Sequence, residues 1–388
     1  MTQGELYRLQ EAVRAEKLGG WLFYNFHHRD IISDTILHIN PRAANSRPWM
    51  YAVPAHGEAL KVVHAVEPDI LDALPGSKRV YLKREDFIAA LRSLPHTLWG
   101  VHSSDTLPAI SYLDAGTASL LEQAGLASAS AGGLIQRFKG LLDQNGIESH
   151  QRASEALYDS IQRAWAEVKK GYAAGKPLYE GEIRQFLERE LERGNLITDH
   201  PPIVAAGVHS GNPHYDFSGS GGIIQAGDVV QFDIWAKERH ETSIYADISW
   251  AGVYETTPPV QAERAFSDLV RVREEVYRFI ETELAAGNPL SGASVDEEAR
   301  NLLTGLGYAS AIKHRTGHGI DTECHGSGVN MDSIEFPDSR LILEGSCFSL
   351  EPGIYFSDFG LRTEINVYVV KGTPVVSGKE RQFRLLTC

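Results

Sequence analysis

Cysteine, net positive charge and long apolar runs are what this chain has little of. Only three cysteines occur in 388 residues, Cys324, Cys347 and Cys388. An odd count without a CxxC spacing argues against both a disulfide framework and a cysteine-ligated zinc. No stretch approaches the ~18 consecutive apolar residues of a membrane span, and Met1 to Leu18 has the pattern of a polar amphipathic helix rather than the core of a signal peptide. The expected location is the cytoplasm, with no membrane partner. Lys and Arg number 37 against 51 Asp and Glu, a net charge of -14, and the basic runs are short and mixed in sign. That balance excludes nucleic acid as a partner, because binding phosphates needs clustered cations.

What is present is ordinary for a globular protein: 43% hydrophobic and 23% charged residues, enough chain for two domains, and no short-period repeat. Short apolar runs at 20–26, 49–55, 61–66 and 79–82 read as strands, and helical patterns cover 3–18, 84–93 and 115–125. This predicts a small N-terminal α/β domain over 1–145. The chain then turns glycine-rich and polar, and a long helix is expected from about 154 to 171. Helical patterns at 179–194, 260–285 and 294–306 follow, the last with Ser294 and Glu297 in the form of a capping box. They alternate with strands at 229–236, 245–252, 347–356 and 361–370. The fold class expected of 146–388 is α+β, with helices covering one face of a curved antiparallel sheet. The stretch from Ser218 to Gly222 reads as a turn, since it neither follows a strand nor ends in GK[ST].

Those later strands carry Asp233, Asp247, Glu351 and Glu364, and the segment HRTGHGID adds His318. Residues two apart share a strand face, so Gln231, Asp233 and Trp235 point one way, as do Tyr245, Asp247 and Ser249. A hairpin pairing the two aspartates would bring their carboxylates to ~5 Å. Acids that close repel unless a proton or a cation intervenes. Four carboxylates and one imidazole form a ligand set for two divalent ions, favouring Mn²⁺, Co²⁺, Zn²⁺ or Fe²⁺ over a thiolate-selected metal without choosing among the four.

At these residues the chain resembles the pita-bread metallopeptidases: methionine aminopeptidase, aminopeptidase P, prolidase and the creatinase branch. The matching pieces are HY (214–215), VVQFDIW (229–235), YADIS (245–249), HRTGHGIDTECH (314–325), LEPGIYF (350–356) and LRTE (361–364), in the family's order. The resemblance implies a pita-bread catalytic domain behind a creatinase-type N-terminal domain. It also implies that Asp233 chelates one metal, that Asp247 and Glu364 bridge both, and that His318 and Glu351 complete the other. A hydroxide held between ions ~3.5–4 Å apart would then be the nucleophile. Glu351 matches the family's proton shuttle, His325 the residue that stabilises the tetrahedral intermediate, and His214 the contact near proline. His314 matches a pocket-lining position and Arg362 an arginine at the site edge, while Arg340 is a weaker candidate for reaching the site.

The implied activity is hydrolysis of the bond before proline, most simply in Xaa-Pro dipeptides, by a homodimer acting on small peptides. The alternatives are an aminopeptidase P acting on longer peptides, a metal-free creatinase-like hydrolase and a non-catalytic binding protein. Two departures stand out. Asp247 lies fourteen residues after Asp233, three more than is usual in the family, which predicts a longer turn over 237–243 that reaches a partner subunit or the site mouth. Ile365 also replaces an acid common after the second glutamate. Tyr245, two residues before Asp247, reads as core with a polar tip, the other reading being contact with the metal edge.

Overall fold

The computed structural model describes all 388 residues, and the chain divides into two compact units, Met1–Lys139 and Gly140–Cys388. The first holds a six-stranded sheet of β1 (Gly20–Asn25), β2 (Trp49–Pro54), β3 (Leu60–His64), β4 (Ser77–Tyr81), β5 (Leu98–Val101) and β6 (Ala127–Ser130). Their order is β4-β3-β2-β1-β5-β6, with antiparallel pairs at β1–β2 and β2–β3 and parallel pairs elsewhere. Helices α1 (Gln3–Ala15), α2 (Ile31–Leu37), α3 (Arg84–Arg92), α4 (Ala115–Gln123) and α5 (Gly132–Phe138) accompany it. Strands β5 and β6 and helices α2 and α5 escaped the sequence reading because each is seven residues or fewer, too short to display a period. The α1 helix stops at Ala15 because Lys17 turns to φ 56°. The glycine-rich stretch taken as the approach to a boundary near 145 is helix α5, and the observed division falls earlier. Leu142 N–H already donates to the Gly345 carbonyl at 2.8 Å, which ties the segment before 145 to the second unit.

In the second unit α6 (Gln144–Ala174) is a 31-residue helix, ten residues longer at its start than expected, because Asp143 caps it by accepting from Gly146 N–H at 2.8 Å. After α7 (Glu180–Arg193) come β7 (Ile203–Ala206), β8 (Val229–Glu238) and β9 (Ala246–Val253), then α8 (Val260–Ala285) and α9 (Gly292–Gly305). The cap of α9 is Ser291, whose side chain accepts from Ser294 N–H, so the helix starts three residues earlier than expected and Ser294 and Glu297 lie inside it rather than forming a capping box. Next come β10 (Cys347–Leu350), β11 (Gly353–Tyr355), β12 (Gly360–Arg362), β13 (Ile365–Val370) and β14 (Thr373–Val376), and a last short strand, Leu386–Thr387, pairs in parallel with the end of β9. No helix is long and apolar enough to cross a membrane.

Strand alternation decides what each sheet face does. Val230, Phe232, Ile234 and Ala236 of β8, with Ala246, Ile248 and Trp250 of β9, share one core with Leu157, Ile161, Trp165 and Val168 of α6 and Leu187 of α7. Phe348, Leu350, Ile354, Leu361, Ile365 and Val367 share another with Leu269, Val272 and Val276 of α8 and Val295 and Ala299 of α9. Each such fully buried side chain contributes about 1.5–3 kcal/mol relative to exposure. Among the intervening residues Val229 and Ala251 join the second core, while Gln231, Asp233, Asp247, Ser249, Ser349, Arg362, Glu364 and Asn366 stand outside both and are polar.

Candidate metal centre

Antiparallel β8 and β9 pair Asp233 with Ser249 and Trp235 with Asp247. The two aspartates share a face as expected but sit diagonally, offset by one pair of residues. Ser249 takes the facing position and uses it: its hydroxyl lies 2.7 Å from Asp233 Oδ1 and 2.9 Å from Glu364 Oε2.

The C-terminal glutamates depart from the expectation of two long strands. Strand β10 pairs with β13 and β11 with β12, and Glu351 and Glu364 occupy the interruptions between those short pieces. Glu364 N–H donates to the Ser249 carbonyl at 3.2 Å, and Asp247 N–H donates to Asn366 Oδ1 at 2.8 Å, so the two hairpins are fastened together at the acids. His318 lies between the isolated bridges Gly317–Met331 and Gly319–Phe348, alongside β10. Its carbonyl accepts from Ser349 N–H at 2.9 Å, and its own N–H donates to Ser349 Oγ at 3.0 Å. That places Nε2 3.4 Å from Asp247 Oδ2 and 3.5 Å from Glu351 Oε1.

All five residues therefore converge. The donor atoms of Asp233, Asp247 and Glu364 lie within 4.8 Å of one another, and so do those of His318, Glu351 and Glu364. Burial and the nearby Asp233 carboxylate push Asp247 up to about 8, and burial with Asp247 and Asp233 does the same to Glu351. Glu364 is raised well above the carboxylate range by burial and then by Asp247 and Glu351. Burial lowers His318 to about 3, with Arg315 next, which keeps the imidazole neutral and its lone pair available. Asp247 Oδ1 and Glu364 Oε1 are buried without a hydrogen-bond partner in the protein. Buried carboxylate oxygens left without donors, in a cluster of mutually repelling acids, are what bound divalent metal would satisfy.

Beside the acids opens a cavity of about 360 Å³, lined by Asp199, Pro201, Pro202, His214, Trp235 and His325 among others. The His325 ring centroid stands 4.2 Å from that of His318. The loop bearing His214 is organised by Glu180, which is fully buried. Its carboxylate lies 2.8 Å from His209 Nδ1 and accepts from Ala206 N–H at 2.8 Å, Tyr215 Oη at 3.0 Å and Gly222 N–H at 2.6 Å. The glycine-rich stretch is the turn that wraps this carboxylate, and Gly219 and Gly221 supply φ of 74° and 65°. No signal in the sequence separates Glu180 from an ordinary acid at a helix start.

Residues 148–371 match Metallopeptidase family M24. The chain belongs to this family. A Xaa-Pro dipeptidase of Lactobacillus delbrueckii subsp. lactis is 33% identical over 183 residues, 45% of this chain and 44% of that one. The match thus spans under half of that relative's length. Among solved structures, dipeptidase PepE from Mycobacterium ulcerans superposes with a TM-score of 0.73 at 21% identity, covering 99% of this chain and 97% of that one. Prolidase from Thermococcus sibiricus gives 0.68 at 20% identity and covers 100% of both. The fold is the pita-bread fold, α+β, as the resemblance implied, and M24 membership carries with it the binding of divalent metal.

Several outer positions of this M24 site differ from what the resemblance implied. Arg362 is buried inside the acid cluster, not at its edge: its guanidinium pairs with Asp233, donates to Ser249 Oγ at 2.9 Å, and lies 3.8 Å from Glu351 Oε2. Burial works against its charge, but Asp233, Tyr355 and Glu351 outweigh that and hold its pKa well above the usual arginine value. His314 lies with Nε2 2.8 Å from Tyr355 Oη, which in turn accepts from Arg362 at 3.4 Å, so the histidine reaches the acids through a tyrosine the sequence reading passed over. Arg340 is spent elsewhere, on Asp338 and the Ser327 and Gly328 carbonyls. The long turn begins later than 237, because β8 runs on to Glu238. Lys237 and Glu238 pair with Ile197 and Leu196, and Glu238 takes two hydrogen bonds from Arg152 at 2.8 and 2.9 Å.

Tyr245 packs with Leu142, Ile147, Ile244, Ile320 and Cys347 in a small buried cluster. Tyr245→Phe is accordingly expected to leave turnover and metal affinity within about twofold and stability within about 1 kcal/mol. A larger fall in turnover, measured on metal-loaded protein, would return its phenol to the reaction.

Proposed function

We propose that this protein is a dinuclear metallopeptidase that hydrolyses the bond preceding proline, acting on Xaa-Pro dipeptides. The observation that carries the reading is the convergence of Asp233, Asp247, His318, Glu351 and Glu364 around the two partnerless carboxylate oxygens. In this reading Asp233, Asp247, His318, Glu351 and Glu364 would hold two divalent ions between them. When bound, Mn²⁺ or Co²⁺ supplies Lewis acidity to the attacking water and the scissile carbonyl.

The chain's own residues do the rest. Arg362 fixes Asp233 and, through Ser249, the orientation of Glu364, so the acids present their oxygens in one geometry. Glu351 takes the proton of the attacking water and returns it to the prolyl nitrogen as that bond breaks. His325 donates to the oxygen that gains charge as the carbonyl becomes tetrahedral, and His214, on the wall of the same cavity, contacts the substrate near its proline. Trp235, Pro201 and Pro202 offer an apolar wall to a proline ring, in a cavity within the ~300–1,000 Å³ range of small-ligand sites.

The test is to dialyse the protein against chelator, restore Mn²⁺, Co²⁺ or Zn²⁺ singly, and follow Ala-Pro, Leu-Pro and a Xaa-Pro-Xaa tripeptide. Metal-restored cleavage of the dipeptides is expected. Cleavage of the tripeptide alone would make the protein an aminopeptidase P. No cleavage with any metal would leave the creatinase-like and binding-protein readings.

A further inference from the structure

The buried thiol of Cys324 stands against the metal ligands and has no part in the proposed reaction. The side chain is 3% exposed, and Sγ donates to Asp247 Oδ2 at 3.1 Å. His318 Nε2 lies 3.4 Å from that same oxygen, and the donor atoms of Asp247, His318 and Cys324 all fall within 4.8 Å of one another. Metal–ligand bonds of about 2.0–2.3 Å set donor-to-donor edges of about 3–3.6 Å around a four- to six-coordinate ion. Oδ2 therefore already stands one such edge from the sulfur and one from the nitrogen. The other oxygen of Asp247, Oδ1, is buried with no partner in the protein, so this carboxylate is not held by other donors in a competing arrangement.

We infer that Cys324 is a further donor to the metal centre, binding through sulfur the ion that Asp247 and His318 hold. On loading, the thiol gives up its proton to solvent and the sulfur–metal bond replaces its hydrogen bond to Asp247. The sulfur also makes the centre softer than its oxygen-rich ligand set implies, shifting preference from Mn²⁺ toward Co²⁺, Zn²⁺ and Cd²⁺. Spacing along the chain hides this role, because the cysteine stands alone in sequence and meets Asp247 only in the fold. The inference rests on the reading that Asp247 and His318 hold a divalent ion, and the test separates the two.

The full-length protein is stripped with chelator and titrated with Co²⁺ while its absorption spectrum is recorded. Wild type and Cys388→Ser are expected to show visible d–d bands together with a near-ultraviolet sulfur-to-cobalt charge-transfer band. Cys324→Ser should keep the d–d bands and lose the charge-transfer band. Its Cd²⁺ affinity should fall at least about tenfold more than its Mn²⁺ affinity. Wild-type d–d bands without a charge-transfer band, or a band that survives in Cys324→Ser, would overturn the inference while leaving the five-residue site intact. A wild-type protein that takes up no cobalt would overturn both.

Discussion

Asp247→Ala is expected to cut turnover to below about a thousandth of wild type while leaving the metal-free protein at least as heat-stable as wild type. The two halves of that result have one cause. Asp247 belongs to two groups of converging donors, with Asp233 and Glu364 and with His318 and Cys324, so its loss removes a donor from each. In the metal-free protein the same carboxyl is a liability: it is buried, raised to about 8 by burial and by Asp233, and leaves Oδ1 unsatisfied. Removing it relieves crowding among the acids, which offsets the small void left behind. Metal content, turnover and thermal unfolding of the chelated variant check the prediction together. An active variant would show that the aspartate after the lengthened turn has been misassigned. An inactive variant with a lowered Tm would make Asp247 a structural residue.

The chelated protein is expected to lose stability as pH rises from about 6.5 to about 8.5, with Tm falling by at least about 4 °C, and bound metal should abolish the slope. Asp247 and Glu351 move from ordinary values of 3.8 and 4.5 up to about 8 in the fold, through burial and mutual repulsion. A raised folded-state pKa means that the native protein holds protons the unfolded chain has released. That contribution is complete below the ordinary values and disappears as pH passes about 8. Histidines set the lower limit of the window. Burial first of all lowers His150 to about 4 and His314 and His318 to about 3, so below their ordinary value of 6.5 they add an opposing loss of stability as pH falls. Above 6.5 they are neutral in both states and the acids dominate. Scanning calorimetry with and without Mn²⁺ measures the slope, and a flat profile in the chelated protein would mean that the carboxyls do not share protons as their burial dictates.

The candidate site was legible in the sequence because β-structure has a period of two. An apolar residue on either side of Asp233 and of Asp247, and Ile365 after Glu364, fixed which way each acid faced, and the helices then had to cover the opposite face. Distances along and across the chain were not legible. Whether Asp233 faces Asp247 or Ser249 depends on register, which the turn and the β7 pairing decide together, and hydrophobic alternation is identical in either case. The interruptions at Glu351 and Glu364 were missed because apolar runs resume directly after them, at Ile354 and Ile365, although Pro352-Gly353 after Glu351 was a signal for the first. Arg362 was misplaced for a related reason: nothing in LRTE shows that the guanidinium turns in toward Asp233. Glu180 and Tyr355 gave no signal at all, since a buried acid at a helix start and a tyrosine near a strand end look like their solvent-exposed counterparts.

The β8–β9 turn bears on how such a protein can change over time. Its additional residues are absorbed by two further paired positions on β8 and an Arg152–Glu238 clamp, and Asp233 and Asp247 remain in ladder contact below them. The reacting groups stand at the roots of two hairpins, and the roots are fastened to each other through Ser249, Asn366 and Glu364. Insertions and deletions at the tips are therefore mechanically insulated from the chemistry. A lineage can remodel the rim that meets substrates or neighbours, residue by residue, without first solving the problem of keeping its acids together.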